Sequence, residues 1–154
     1  MIDKSELQVR WACLSDAAKI ARVGLASAKI EVRVDPLDIS LKDFTQIWKD
    51  RISTRSHRTV VLCLGERILG YICFTSPLRG GYIQALYIDP EYNRQGLGRI
   101  LMSVGTEVVK TTGGRTMQVD VQPENYAAHE FYKKTGFVFT GEMAGDLLVM
   151  KKEL

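Results

Sequence analysis

The segment Arg94-Gln95-Gly96-Leu97-Gly98-Arg99 combines two glycines, two guanidinium groups and the first residues of an apolar helical repeat. Just before it, Tyr87-Ile88-Asp89-Pro90 reads as the end of a strand, so a glycine turn leads directly from strand to helix. A helix N-terminus leaves its first N–H groups unpaired and carries about half a positive charge. Glycine at 96 and 98 lets an anion approach that backbone without a Cβ in the way, and Arg94 and Arg99 add charge beside it. A phosphate or pyrophosphate is the natural occupant, and a tight turn without a ligand is the alternative. A P-loop would need Lys-Ser/Thr after its last glycine, where this chain has Arg99-Ile100. A dinucleotide fingerprint finds an acid, Asp120, at a suitable distance. It has Leu101 where a small residue is required, however, and three strand-like runs precede it.

Other residues able to do chemistry are scattered. Tyr132, beside Phe131 on an amphipathic run, reads as a half-buried aromatic, and Asn125 after Pro123-Glu124 as a helix N-cap. His57 and His129 form no metal-ligand spacing with each other or with a cysteine, so no metal is expected, and His129 is expected to face solvent. A turn at Gly65-Glu66 pairs Cys63 with Ile68 and leaves Cys73 about five residues, or ~17 Å, further along. Disulfide geometry requires Cα atoms within about 7 Å, so Cys13, Cys63 and Cys73 are read as reduced, buried thiols.

The elements that must position these residues follow from periodicity. Leu7 to Ala12 reads as a strand. A helix follows with Ser15 as N-cap and Ala17, Ile20, Ala21, Gly24 and Ala28 on one face. Glu31 to Asp38 reads as a loop around Pro36. Ser40 with Asp43 then caps a helix that turns Leu41, Phe44, Ile47, Trp48 and Ile52 inward. Thr59–Leu64 and Ile68–Phe74 form a hairpin, Tyr82–Ile88 a further strand, and Leu97, Ile100, Leu101, Val104 and Val108 a helical face. Thr116–Val121 is a strand, Asn125–Thr135 a helix, and Phe137–Glu142 with Asp146–Lys151 a last hairpin. The fold class is mixed α/β, with the two strands on either side of the Gly96 helix parallel because a helix connects them.

The totals agree with a single domain over residues 1–154: 45% apolar, 25% charged and a net charge of +3. No apolar run reaches the ~18 residues of a membrane span and no signal core opens the chain, so the cytoplasm is expected and a membrane is not. No basic block with interleaved aromatics suggests nucleic acid. A homodimer is left open.

Two blocks carry a family resemblance. Asn-Arg-Gln-Gly-Leu-Gly at 93–98 is similar to the Q/R-x-x-G-x-G/A signature of the GCN5-related N-acetyltransferases (GNAT), and Asn125 to Phe137 has their N-x-x-A-x-x-F-Y-x-x-x-G-F spacing. Asn93 departs from the preferred Gln or Arg. The resemblance implies the GNAT-like fold, a mixed and mostly antiparallel sheet of about seven strands with about four helices. It also implies acetyl-CoA as co-substrate and a primary amine as acceptor, on a small molecule, a peptide N-terminus or a lysine. In such a fold the loop Arg94, Gln95, Gly96, Leu97, Gly98 and Arg99 grips the pyrophosphate. The pantetheine arm lies along Leu86, Tyr87 and Ile88 like an added strand.

By the same resemblance an N–H near Ile88 polarises the carbonyl, Asn125 contacts the arm, and Tyr132 protonates the leaving thiolate. Relatives often carry a glutamate base where this chain has Gln84, which cannot take a proton; a water relay to Glu31, Asp35, Asp120 or Asp146 is the substitute. The acceptor is expected between Ile30–Asp38 and Glu142–Asp146. A non-catalytic acyl-CoA-binding module is the competing reading, suggested by Gln84.

Overall fold

The computed structural model describes residues 1–28, 39–75 and 80–154. Seven strands form one sheet: β1 (Leu7–Trp11), β2 (Arg58–Leu64), β3 (Arg67–Thr75), β4 (Gly80–Ile88), β5 (Thr116–Val121), β6 (Val138–Ala144) and β7 (Leu147–Glu153). Their spatial order is β1-β2-β3-β4-β5-β7-β6. Among the described residues four helices accompany them: α1 (Ala17–Ala28), α2 (Leu41–Thr54), α3 (Leu97–Thr111) and α4 (Tyr126–Lys134). All neighbouring strands are antiparallel except β4 and β5, which α3 connects. The mixed α/β class and the mostly antiparallel sheet are as the sequence implied.

Each face of the sheet buries its own apolar cluster. Leu62, Leu69, Ile72, Phe74 and Ile83 pack with Leu97, Leu101 and Val109 of α3 and Tyr132 of α4, together with Met117, Val119 and Val121 of β5. On the opposite face Ala17, Ile20 and Ala21 of α1 and Trp48 of α2 cover Val61, Cys63, Tyr71 and Cys73, with Ala85 and Tyr87 of β4 at the margin. No residue of β5 belongs to this second cluster.

Local details depart from expectation in three places. Ser15 is not the N-cap of α1. The Asp16 carboxylate instead accepts the Cys13 N–H at 2.8 Å and is gripped by Arg10 at 2.7 and 3.0 Å. Ser40 Oγ does accept the Asp43 N–H at 3.0 Å, but Leu41 and Ile47 are 41% and 36% exposed. The inward stripe of α2 is Phe44, Trp48 and Ile52, and Ile47 lies about 100° from its centre; Leu41 is in phase with the stripe but sits in the exposed first turn. The expected register holds, with Cys63 opposite Ile68 and Cys73 opposite Thr59. All three cysteines are free thiols, though Cys13 is exposed rather than buried. The Glu31–Asp38 loop lies outside the described residues.

The feature that positions the site is where β4 and β5 part. Their parallel ladder consists of Gly80 with Thr116, Gly81 with Met117 and Tyr82 with Gln118, and goes no further. Beyond it β5 continues against β7 and β4 against β3. In the β3–β4 ladder Cys73 pairs with Ala85 and Phe74 with Ile83, so Gln84 is an extra, bulged residue. A bulge bends its strand and sharpens the local twist. The bend comes just after the last β4–β5 rung, and the two strands diverge from there.

Candidate active site

Downstream of the split, β4 runs into the glycine turn. Pro90–Tyr92 forms a short 3₁₀ turn capped by Asp89, whose carboxylate accepts the Glu91 N–H at 3.1 Å. Arg67 braces it, 2.8 Å from Glu91 and stacked 4.9 Å above the Tyr92 ring. Arg94 and Gly96 then adopt left-handed backbone, with φ of 61° and 79°. Gly96 is the N-cap of α3 and offers no side chain to the helix, so the N–H groups of Leu97, Gly98 and Arg99 lack the usual cap. Arg94 and Arg99 are exposed beside them, whereas the Leu97 side chain is buried in the core and leaves only its backbone to the turn.

The two glycines serve different ends. At Gly96 the positive φ favours glycine, and the one group near the Cβ position is the end of the Lys4 side chain. At Gly98 an added Cβ would stand 3.1 Å from Phe131 Cε2, so this glycine admits the close packing of α4 on α3. Beside its expected part in leaving the backbone open to an anion, Gly98 therefore has a packing role that Gly96 lacks.

The N-terminal segment also reaches the turn. The Ile2 N–H donates to Gln95 Oε1 at 3.0 Å, and Lys4 Nζ lies 3.2 Å from where a Cβ would stand on Gly96. A third cation therefore borders the turn. Nothing in the local sequence marks Lys4, because the contact spans about ninety residues of chain.

Along β4 the Asp89 N–H bonds to Leu69 O of β3 at 2.7 Å. Strand alternation then turns the N–H groups of Ile88 and Leu86 to the opposite edge, toward the gap. Their side chains pack on the α3 face, while Tyr87 lies on the other, its ring 5.9 Å from Tyr71. The Ile88 carbonyl accepts Ser27 Oγ at 2.9 Å, which ties α1 to the end of β4.

From α4 come the other expected residues. Tyr132 is buried, its ring 5.2 Å from Phe131 and 5.3 Å from Phe137, so its orientation is set by packing. Asn125 caps α4, its side chain accepting the Ala128 N–H at 3.2 Å. His129 does not face solvent. It is buried, with Nε2 2.9 Å from Gln122 O and the ring held edge-on between Tyr126 and Phe139. The aromatic cover from Phe139 of β6 is a tertiary contact that periodicity does not show.

Of the candidate acids, Glu31 and Asp35 lie outside the described residues, as does Ile30–Asp38 as an acceptor wall; Asp146 is exposed in the β6–β7 turn. Asp120 is different. Tyr82 Oη donates to its Oδ2 at 2.6 Å and Gln118 Nε2 to its Oδ1 at 3.0 Å. Burial and the neighbouring Asp120 carboxylate push the Tyr82 hydroxyl up to about 12, so it remains a donor at neutral pH. A cavity of about 480 Å³ lined by Trp11, Ile52, Arg55, His57 and Arg58 lies at the opposite end of β2 and β3 and contains none of these residues.

A parallel pair of strands thus separates at a bulge and opens onto an uncapped helix N-terminus. Residues 27–137 match the family model described as Acetyltransferase (GNAT) family, and the chain belongs to that family. It is 31% identical over 130 residues to the uncharacterized N-acetyltransferase YuaI of Bacillus subtilis (strain 168), covering 76% of this chain and 72% of that protein. It is 33% identical over 70 residues to an uncharacterized N-acetyltransferase of Methanocaldococcus jannaschii, covering 46% of this chain but only 31% of that longer relative. The fold is shared with the PaiA N-acetyltransferase of Thermoplasma acidophilum, solved in complex with coenzyme A. The TM-score is 0.83 at 18% identity, over 96% of this chain and 99% of that one.

Proposed function

We propose that this protein transfers the acetyl group of acetyl-CoA to a primary amine of a small molecule or peptide by direct attack. The observation that carries the reading is the β4–β5 ladder, which ends after Tyr82–Gln118 and leads to the uncapped N-terminus of α3. The groups present suit the ligand. Gly96 leaves the backbone open, Arg94, Arg99 and Lys4 supply positive charge for a pyrophosphate, and the N–H groups of Leu86 and Ile88 can pair with a peptide-like arm. Acetyl-CoA supplies the activated thioester.

The protein's own groups then do three things. A β4 N–H near Ile88 polarises the carbonyl oxygen. The amine nitrogen forms the new C–N bond as the C–S bond breaks, and Tyr132 gives its hydroxyl proton to the departing thiolate. Tyr132 is regenerated from solvent, which also takes the proton released by the amine, since Gln84 cannot hold it. We read residues 1–154 as one such domain acting in the cytoplasm; among the described residues no helix is long and apolar enough to cross a membrane.

The test is release of coenzyme A, followed by mass spectrometry across alkylamines, peptides and aminoglycosides. Amine-dependent release with a product heavier by one acetyl group supports the reading. Tight acetyl-CoA binding with no acetylated product from any amine would overturn it in favour of a non-catalytic acyl-CoA-binding module.

A further inference from the structure

We infer that Asp120 is the acceptor anchor of this transferase, receiving the substrate as a primary alkylammonium cation on the sheet face opposite α3, where the ammonium gives one proton to solvent before its nitrogen attacks. The inference rests on the reading above and adds the substrate's charge class and the group that recognises it.

Position is the first support. Asp120 lies two residues beyond Gln118, the last β5 residue paired with β4, so it borders the gap just where it opens. Its neighbours Val119 and Val121 point into the α3 cluster, and alternation sends Asp120 to the other face. The helices that cover that face, α1 and α2, pack on β2, β3 and β4, and no β5 residue joins their cluster. Asp120 is thus half-buried at a site that the sheet creates and the helices leave open. Across the open stretches Ile83–Ile88 and Val119–Val121 it is the one carboxylate.

Chemistry is the second. A carboxylate offers about four lone-pair directions, and Tyr82 and Gln118 occupy one on each oxygen. Both contacts fix the group without neutralising it, because Tyr82 Oη and Gln118 Nε2 are neutral donors. The two remaining lone pairs can accept two of the three N–H donors of a primary ammonium. The closest basic partner in the ladder, Lys151, sits opposite Gln118, one pleat back from Asp120, while Asp120 itself faces Val149. A structural tie between β4 and β5 would also use Tyr82 and Asp120, and the experiment separates the two roles.

Asp120→Asn keeps the size and the acceptor oxygen for Tyr82 but removes the charge. With saturating acetyl-CoA, KM for a cationic alkylamine should rise roughly 10–100-fold, the weight of one charge-assisted hydrogen bond, with kcat within threefold. For p-anisidine, neutral at pH 7.5, KM should change less than threefold, and acetyl-CoA affinity should be unchanged. Equal losses for both amines, an unchanged alkylamine KM, or a weakened acetyl-CoA complex would each overturn the assignment. A second arm needs no turnover: calorimetric titration of n-hexylammonium, with n-hexanol as its neutral counterpart, into protein saturated with coenzyme A. Preferential binding of the cation, lost in Asp120→Asn, supports the anchor even if no acetyl transfer is found; no preference in the unmodified protein overturns it. Failure of transfer alone would count against the proposed reaction and not against this site.

Discussion

Alanine at Gly96 and at Gly98 should have opposite consequences, although the two glycines belong to one motif. Gly96 has φ of 79°, where an L-residue with a Cβ costs roughly 1–2 kcal/mol. For a chain of this size that cost lowers Tm by about 2–8 °C. The new methyl would also stand 3.2 Å from Lys4 Nζ, on the side from which an anion must approach. Acetyl-CoA affinity of Gly96→Ala should therefore fall about tenfold or more. Gly98 lies in the first turn of α3, and its alanine methyl meets Phe131 Cε2 at 3.1 Å and Cζ at 3.3 Å. Phe131 must shift by a few tenths of an ångström, a small cost offset by the ~1 kcal/mol helix preference of alanine over glycine. Gly98→Ala should keep both Tm and acetyl-CoA affinity near the parent values, within threefold for affinity. Larger side chains, as in Gly98→Val, should cost about 1–3 kcal/mol of stability by overpacking against α4. Calorimetric titration with acetyl-CoA and a thermal melt of each variant read both quantities. If Gly98→Ala loses affinity while Gly96→Ala keeps it, the open backbone lies one turn further into the helix and the division of labour argued here is wrong.

Other outcomes follow from the same structure. Lys4→Ala should weaken acetyl-CoA binding by about two- to fivefold at low salt, the effect of one exposed charge at a helix N-terminus, and by less at 0.5 M salt; a salt-independent loss would contradict an electrostatic role. Tyr132→Phe keeps the packed ring and should leave acetyl-CoA affinity unchanged while kcat falls by ~10²–10⁴-fold, or about 3–5 kcal/mol; unchanged turnover would make Tyr132 a packing residue. Arg10, through its hydrogen bonds, and the Cys13 N–H hold Asp16 down to about 2, below its ordinary 3.8. A depressed carboxylate contributes stability fully above pH ~4 and loses it as pH falls through about 2, so Asp16→Asn should lower Tm at pH 7 by a margin that closes over that interval. With Arg10 half exposed to solvent, roughly 1–2 kcal/mol is expected, and a margin constant from pH 7 to pH 2 would refute the linkage.

Much of the fold was legible because its signals are local. Strand alternation at Thr116–Val121, the turn at Gly65-Glu66 and the Ser40 cap depend on residues a few positions apart, and each stands where periodicity put it. The parallel β4–β5 joint followed from connectivity, since a helix between two strands of one sheet leaves little choice of direction. The same locality explains the misses. Ser15 is a good cap by residue type, yet it is Asp16, gripped by Arg10, whose carboxylate takes the Cys13 N–H in the 3₁₀ turn before α1. His129 stands between small and aromatic residues in sequence, and its burial is supplied by Phe139 of β6 and the Gln122 carbonyl.

The sequence by itself determined the glycine turn, the two arginines beside it, the tyrosine on the following helix and the family to which these blocks belong, because their spacing along the chain is the signal. Only the tertiary structure decided which glycine faces Phe131, that Lys4 stands beside Gly96, and that Asp120 is held by Tyr82 at the mouth of the gap. Those contacts join residues 33, 38 and about 90 positions apart, and no local pattern encodes them. The gap itself arises where β4 bends at Gln84 and parts from β5, a geometry set by how two strands pair with a third and not by the residues of either strand alone.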